Sequence, residues 1–453
     1  MEDNNVKQSS YAQIVAGLGV LILSLVVLYF TAPHWYLSLA PLIILLVAFH
    51  YHNKLGKLWQ GAIVGLTIAV IITYALQDIA RMQSNVSQIY EWDFMGFWIG
   101  GRAAVQGVNF YQAEQYHRIA QVLSPSVAFT HEIIDIGFWY PPPSMLLFAP
   151  LGWFDNIQTA YVFWYAFNSV VIVLDIVLLW KLFLGESGLR GLGLVAAMLL
   201  LLHPTLATIG FGQTAFVALL MLLLFWQDRL RPRSGIWLTI GIFVKPFLAF
   251  LLIYFVVKRK WRALLTTFAS AVVISLISIV LFSPSTFLTY FQANQASKVS
   301  SFVDTTGQGQ SLQHFFEYSL QGSIGSNPSL MRILFYVSAA VMIAISAWVL
   351  FQADESRLDW KIALLVPLSL AVYPNTGEHY AVVLLPGLLL FWAHRNELPV
   401  PPWGAIVFIV VEYALVSVNA DLSLLMMLLN WLVLLLVQTP ITLPESQPKL
   451  DTA

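Results

Sequence analysis

A few polar side chains that could do chemistry stand out because the sequence around them is almost entirely apolar. Asp93 is followed directly by the aromatic sequence FMGFW. Burial of its carboxyl group against these rings would raise its pKa and suit it to act as a general base. Lys245 stands beside Pro246 within a long apolar segment. An ammonium group without partners is costly to bury, so a lysine in such a place usually has a function.

Two further residues, His379 and Arg102, could stabilise a departing anion by charge and hydrogen bonding. Simpler structural interpretations compete with these roles. Asp93 could be a solvated loop acid or a helix cap, and Gln213 could also cap a helix. His379 could be an interfacial histidine and Arg102 a solvated loop cation. We expect no metal ion and no cofactor, because Asp93 is not paired with a second candidate catalytic carboxylate and the chain has no cysteine.

The composition identifies the solvent around most of this chain as lipid. Of its 453 residues, 59% are hydrophobic and only 10% are charged, and the mean hydropathy is +0.76. A soluble protein of this size has about 25% charged residues. The net charge of -1 argues against a nucleic-acid partner, because binding a phosphate backbone needs a basic face. We therefore predict an all-α integral membrane protein that crosses the bilayer many times.

Apolar runs recur along the chain. A spanning helix needs about 20 mostly apolar residues, and we predict about 12 such helices. They lie near residues 11–31, 35–50, 58–78, 157–180, 191–208, 213–227, 262–282, 331–352, 361–373, 380–393, 403–418 and 422–438. Residues 1–440 are predicted to form a single integral membrane domain, and the polar residues 441–453 a cytoplasmic tail.

Clusters of lysine and arginine between the apolar runs predict the orientation, because cytoplasmic loops are enriched in basic residues. Placing these clusters inside puts both termini in the cytoplasm. The segment 235–257 has a basic cluster on each side, so a single span would leave one cluster outside, and it is too short for two spans. Since Pro246 breaks a helix at its centre, we predict a re-entrant pair of half-helices with Lys245 near the tip.

This topology collects the unusual polar residues on the extracytoplasmic face. The first outer loop spans residues 79–155, the second spans residues 283–330, and two turns lie near 203–213 and 373–380. These loops and turns carry Asp93, Trp98, Arg102, Tyr140, Gln213, Gln310, Ser311, Glu378, His379 and Tyr380. Little chain is left to bind a water-soluble activated substrate, so a catalyst of this kind would draw its donor from the lipid phase.

Short motifs follow one another through these loops. The first loop reads WDFMGFWIGGRAAVQGVNFYQ, and later come Tyr140-Pro141-Pro142, Gly212-Gln213, Lys245-Pro246, Gln310-Ser311-Leu312 and Glu378-His379-Tyr380. In type and order they resemble glycosyltransferase family 87, which includes polyprenyl-phosphate-mannose-dependent mannosyltransferases. One motif departs, because residues 307–312 read GQGQSL where the family more often has Asn-Gln-Ser-Leu.

The resemblance implies a GT-C type fold in the cell membrane. It implies transfer of a sugar, mannose or a related one, from a polyprenyl-phosphate donor to a glycolipid or glycan acceptor on the extracytoplasmic side. Asp93 would be the base on the acceptor hydroxyl, and His379 would contact the donor phosphate. Lys245 and Arg102 are further cations expected near that phosphate.

The remaining candidates are expected to line the substrates: Trp98, Tyr140, Gln213, Gln310, Ser311, Glu378 and Tyr380. A single carboxylate base that activates an acceptor attacking from the far face of the sugar predicts inversion at the anomeric carbon.

Two other functions use the same features. A secondary transporter or lipid-linked sugar flippase would also need a broken helix and intramembrane polar groups, but such proteins usually show two related halves. The sequence has no visible second segment like 235–257. A non-catalytic scaffold would leave the one-sided clustering of polar residues unexplained. We therefore predict a glycosyltransferase and keep the transporter as the alternative.

Overall fold

A computed structural model describes residues 39–50, 65, 69, 93–123, 138–292, 309–320, 327–352, 357–398, 401–418 and 422–438. These residues form helices and turns without any strand, which confirms the all-α prediction for this part of the chain. The predicted span near 11–31, all of the span near 58–78 except residues 65 and 69, and the predicted tail 441–453 lie outside the described residues.

The α-helices are α1 Leu39–His50, α2 Asp93–Val105, α3 Ala113–Leu123, α4 Met145–Phe148, α5 Ile157–Leu179, α6 Gly188–Leu200, α7 His203–Gly210, α8 Ala215–Gln227, α9 Ser234–Val244, α10 Leu252–Val257, α11 Trp261–Phe282, α12 Pro284–Gln292, α13 Leu312–His314, α14 Pro328–Gln352, α15 Leu358–Val372, α16 Leu385–Ala393, α17 Pro402–Val418 and α18 Ser423–Gln438. Short 3₁₀ helices cover Pro142–Ser144, Ala149–Trp153, Gly185–Ser187, Pro246–Leu251 and Glu378–Leu384. Single π-helical turns cover Trp180–Leu184 and Phe315–Leu320.

Three helical segments of the described chain are long and apolar enough to cross a membrane: Ile157–Leu200, Trp261–Phe282 and Pro328–Gln352. On α11, Leu265 is 67% exposed and Val280 is 82% exposed. Apolar side chains exposed to this degree are suited to contact lipid acyl chains. The other apolar helices are shorter, so the total of about 12 spans stays a prediction.

The first outer loop folds around an aromatic core of its own. Phe97 on α2 stacks on Phe148 of α4 with ring centroids 4.3 Å apart. Helix α2 also packs so closely on the 3₁₀ helix Ala149–Trp153 that a Cβ on Gly152 would lie 2.2 Å from the carbonyl oxygen of Gly101. The part of residues 79–155 that the structure describes is therefore a packed helical layer that can hold α2 in one orientation.

The predicted re-entrant segment is broken where the sequence indicates. Helix α9 ends at Val244, Lys245 is extended, and a 3₁₀ helix begins at Pro246. The two ends of the segment lie close together, because the Tyr254 hydroxyl donates a hydrogen bond of 3.1 Å to the carbonyl of Arg229. These contacts are those of a hairpin whose tip carries Lys245, and the membrane face on which it opens stays a prediction.

Candidate active site

The turn after α7 brings the start of α2 to the site. Gly212 has a φ of +64°, and a Cβ there would lie 2.7 Å from the Cβ of Phe94, so only glycine fits. The Phe94 N–H donates to the carbonyl of Phe211 at 3.2 Å, and the Trp164 indole donates to the carbonyl of Gly212 at 2.7 Å. These contacts hold the first residue of α2 next to Gln213.

Asp93 is the first residue of α2, where the positive end of the helix dipole favours a carboxylate. The Gln213 amide nitrogen donates a hydrogen bond to its carboxylate. Burial raises the pKa of Asp93, and the hydrogen bond from Gln213 and the charge of Lys245 act in the opposite direction. The net shift is upward, which is the direction that makes a carboxylate a better proton acceptor.

Gln213 joins the carboxylate to a buried cation. Its side chain is 4% exposed, and its amide oxygen accepts a hydrogen bond of 3.0 Å from the Lys245 ammonium. The Tyr140 hydroxyl lies 3.2 Å from the same oxygen. Asp93, Gln213, Lys245 and Tyr140 therefore form one connected group, which we call the Asp93 cluster.

Lys245 is 1% exposed, and protein groups surround its ammonium. Besides Gln213, the ammonium donates to the Tyr140 hydroxyl at 2.7 Å. It also lies 4.0 Å from the ring centroid of Tyr380, which is a favourable cation–π distance. The tip of the broken segment thus contacts Tyr140 of the predicted first outer loop.

His379 lies beside this cluster with an unused nitrogen. Its ring is 4.3 Å from the ring of Tyr380, and its carbonyl accepts a hydrogen bond of 3.2 Å from Thr208. The Nε2 atom is buried and has no hydrogen-bond partner among the described residues. Burial, and after it the charge of Lys245, lower the pKa of His379 well below its ordinary value. A neutral imidazole is thus available to a ligand.

The second outer loop contacts the turn that precedes His379. The Gln310 N–H donates to the carbonyl of Thr376 at 2.7 Å, and the Ser311 hydroxyl donates to the carbonyl of Pro374 at 3.0 Å. Both residues are buried. The Ser311 oxygen also caps α13 by accepting from the His314 N–H at 3.2 Å. Ser311 therefore positions the turn, and its contact with a substrate stays a prediction.

Two predicted site residues are not brought to the Asp93 cluster. Arg102 lies nine positions after Asp93 on α2, which is a rise of about 13 Å along the helix axis. Its guanidinium donates to the carbonyl of Gly152 at 2.8 Å and pairs with Asp155. Trp98 is 2% exposed, and its indole donates to the carbonyl of Phe154 at 3.0 Å. Both side chains hold α2 against the rest of the loop, and their roles at the phosphate and the substrate stay predictions.

The sequence analysis missed two threonines. Thr208 supports His379 through the carbonyl contact described above, and the Thr214 hydroxyl lies 3.3 Å from the Tyr140 hydroxyl. Thr214 directly follows Gln213, which was the available signal. Thr208 gave none, because a threonine within an apolar helix usually bonds to its own backbone, as it also does here to Pro204 at 2.7 Å.

Glu378 is partly buried, directly before His379, at the start of the 3₁₀ helix Glu378–Leu384. In the described part of the chain, no three His, Asp or Glu residues are grouped so as to hold a metal ion. A groove of about 690 Å³ lies at the turn between α2 and α3, lined among others by Gln106 and Gln112. It lies at the far end of α2 from Asp93 and is separate from the Asp93 cluster.

Comparison with known proteins places this arrangement in a family. The sequence profile of glycosyltransferase family 87 matches residues 138–374, which is more than half of the chain. No solved structure matches the chain.

Three curated proteins are similar in sequence. A polyprenol-phosphate-mannose-dependent alpha-(1-2)-phosphatidylinositol mannoside mannosyltransferase of Mycobacterium tuberculosis is 25% identical over 285 residues, 58% of this chain and 64% of that protein. The chain thus spans less than two thirds of that relative. The protein of the same name from Mycolicibacterium smegmatis is 24% identical over 347 residues, 72% of this chain and 73% of its own.

An alpha-(1->3)-arabinofuranosyltransferase of Corynebacterium glutamicum is 27% identical over 191 residues, 41% of each chain. The profile match includes Tyr140, Gln213 and Lys245, which are three of the four members of the Asp93 cluster. On the extent of that match, this chain is a member of glycosyltransferase family 87.

Proposed function

We propose that this membrane protein transfers a sugar from a polyprenyl-phosphate donor to an acceptor hydroxyl on the extracytoplasmic side. The names of the relatives support the donor class, since two of them are described as dependent on polyprenol-phosphate-mannose. The third is an arabinosyltransferase, so the sugar is mannose or a related hexose or pentose. A glycolipid or a glycan end is the acceptor.

The main support for this proposal is that the Asp93 carboxylate and the His379 imidazole lie at one buried cluster. Asp93 is held at a helix start by Gln213, and the buried Nε2 of His379 has no partner in the described chain. A glycosyl phosphate already has a good leaving group. Its transfer therefore needs a base for the acceptor and a donor of hydrogen bonds for the departing phosphate.

The roles of Asp93 as base and His379 as hydrogen-bond donor define which bonds form and break. The acceptor oxygen attacks the anomeric carbon while Asp93 takes its proton. The bond between the anomeric carbon and the phosphate oxygen breaks, and the polyprenyl phosphate leaves with the bonding electrons. The His379 Nε2–H would donate to a phosphate oxygen as that charge develops. One displacement with one base inverts the anomeric configuration.

A transport function uses some of the same features. The broken segment with Lys245 at its tip is the kind of element that secondary transporters use at their substrate sites. A lipid-linked sugar flippase is therefore the second candidate. It would need no base beside the cation, and it would leave the sugar on its lipid.

An assay with purified protein in lipid vesicles distinguishes the transferase from the flippase. A panel of labelled polyprenyl-phosphate mannose, glucose and arabinose would be offered with and without short glycan and glycolipid acceptors. The transferase predicts an acceptor-dependent loss of one donor and a product of inverted configuration. Movement of intact donor between leaflets without any glycosylated product would instead support the flippase, and a product of retained configuration would refute the single displacement.

A further inference from the structure

The surroundings of Lys245 differ from those of a phosphate ligand. An ammonium group has three N–H donors. One is donated to the Tyr140 hydroxyl at 2.7 Å and one to the Gln213 amide oxygen at 3.0 Å, and the Tyr380 ring centroid lies 4.0 Å from the nitrogen. With these three neighbours and a side chain 1% exposed, the ammonium is enclosed by protein groups and closed off from a phosphate oxygen.

The Gln213 amide can point in only one direction between its two charged neighbours. Its oxygen faces the Lys245 ammonium, and its NH₂ group faces the Asp93 carboxylate. The reversed amide would place its NH₂ against the ammonium and its oxygen against the carboxylate, and both contacts would be repulsive. The charge of Lys245 therefore fixes the hydrogen bond that Asp93 receives.

The positive charge of Lys245 also complements the negative charge of the Asp93 carboxylate. Lys245 stabilises the ionised form of Asp93 across the amide, and it is the positive group whose charge acts on that carboxyl. The other titratable groups around the Asp93 cluster are the phenols of Tyr140, Tyr373 and Tyr380 and the imidazole of His379, with Glu378 next to it in the chain. Burial, and after it the neighbouring acidic groups Asp93 and Tyr373, raise the pKa of the Tyr140 phenol, which therefore stays neutral.

We propose that Lys245 is the counter-ion of Asp93, joined to it by the Gln213 amide, and is not a ligand of the donor phosphate. The inference rests on the proposed function, since it takes Asp93 as the base and a polyprenyl phosphate as the donor. It assigns Lys245 and Gln213 as positioning residues that keep the base ionised. The donor phosphate is then bound by His379 and by groups other than Lys245.

Loss of Lys245 should shift the ionisation of Asp93 to higher pH. Removing Lys245 removes a positive charge that favours the carboxylate, so Asp93 binds its proton more tightly and is ionised only at higher pH. We expect the midpoint of Asp93 ionisation to rise by about one pH unit or more in Lys245→Met. Gln213→Leu should raise it as well, because it removes the hydrogen bond and the bridge while the lysine stays in place.

Two measurements, neither of which requires turnover, test the proposal. Infrared difference spectra against Asp93→Asn, recorded across a pH series, report the protonated carboxyl band of Asp93. Binding of a polyprenyl monophosphate in detergent or vesicles reports the phosphate site. Lys361→Met is the control, because it removes another fully buried lysine from α15, outside the cluster.

Support requires a raised midpoint in Lys245→Met with a polyprenyl phosphate affinity within about twofold of the wild type. An unmoved midpoint, or an affinity that falls tenfold or more, overturns the proposal. If Lys245→Met does not fold, Gln213→Leu decides by the same criteria. If the wild type binds no polyprenyl phosphate, the proposed function fails, and the midpoint alone judges the counter-ion.

Discussion

At the scale of single residues, opposing effects set the state of Asp93. Burial raises its pKa, whereas the hydrogen bond from Gln213 and the charge of Lys245 favour the ionised form. A base needs this balance, because a fully solvated carboxylate is a weak proton acceptor and a fully desolvated one stays protonated. The position at the start of α2 adds a helix dipole that favours the charged form.

His379 gives a prediction at the same scale. His379→Ala removes the Nε2 group that we assign to the donor phosphate. A hydrogen bond to a charged group contributes about 1.5–3 kcal/mol, so kcat/KM for the donor should fall by about 10- to 100-fold. His394→Ala is the matched control, because that histidine is partly exposed and bonds Glu397 at 3.0 Å, away from the cluster. Equal kinetics in the two variants would remove His379 from the phosphate site.

Sequence reasoning singled out the residues whose burial is costly, but it could not place those that bond to distant backbone. Asp93, Lys245 and His379 stood out because charge or an imidazole is rare in apolar surroundings. Arg102 carried a similar signal, but its partners are a carbonyl and a carboxylate about 50 positions away in the chain. Only the folded loop determines whether such an arginine points to the site or away from it.

At the scale of elements, the site depends on the docking of α2 against the turn 211–213. Gly212 permits this docking by its positive φ and its missing side chain. Gly212→Ala should therefore lower the free energy of unfolding by about 1–2 kcal/mol, from backbone strain alone, and should also lower transfer by moving Gln213.

The control for this prediction is Gly210→Ala, since a Cβ there meets no atom within 4 Å. Thermal unfolding in detergent and initial transfer rates would be compared for both variants. If Gly212→Ala and Gly210→Ala behave alike, the docking of α2 does not depend on the glycine at position 212.

The sequence predicted the broken segment better than it predicted the first outer loop. A proline beside a lysine marks a helix end by local chemistry, and α9 does end at Val244. Residues 79–155 looked like an irregular amphiphilic stretch. Their aromatic core joins Phe97 to Phe148 across 51 positions, and pairings over such separations leave no periodic pattern in the sequence.

At the scale of the whole molecule, orientation decides which substrates can reach the site. The chain has no cysteine, so single cysteines can report topology without background from the protein itself. We predict that a membrane-impermeant maleimide labels Glu114→Cys in intact cells and labels Arg231→Cys only after permeabilisation. Both parent side chains are well exposed, at 90% and 66%. Labelling with the opposite pattern would place the Asp93 cluster on the cytoplasmic side.

The most direct test of the central claim is sugar transfer from a polyprenyl-phosphate donor by Asp93→Asn. The variant keeps the shape of the side chain and removes the base, so we predict a rate at least about 100-fold below that of the wild type. Asp155→Asn, which alters an exposed carboxylate paired with Arg102, should keep nearly full activity. If folded Asp93→Asn transferred sugar at the wild-type rate, Asp93 would not be the base.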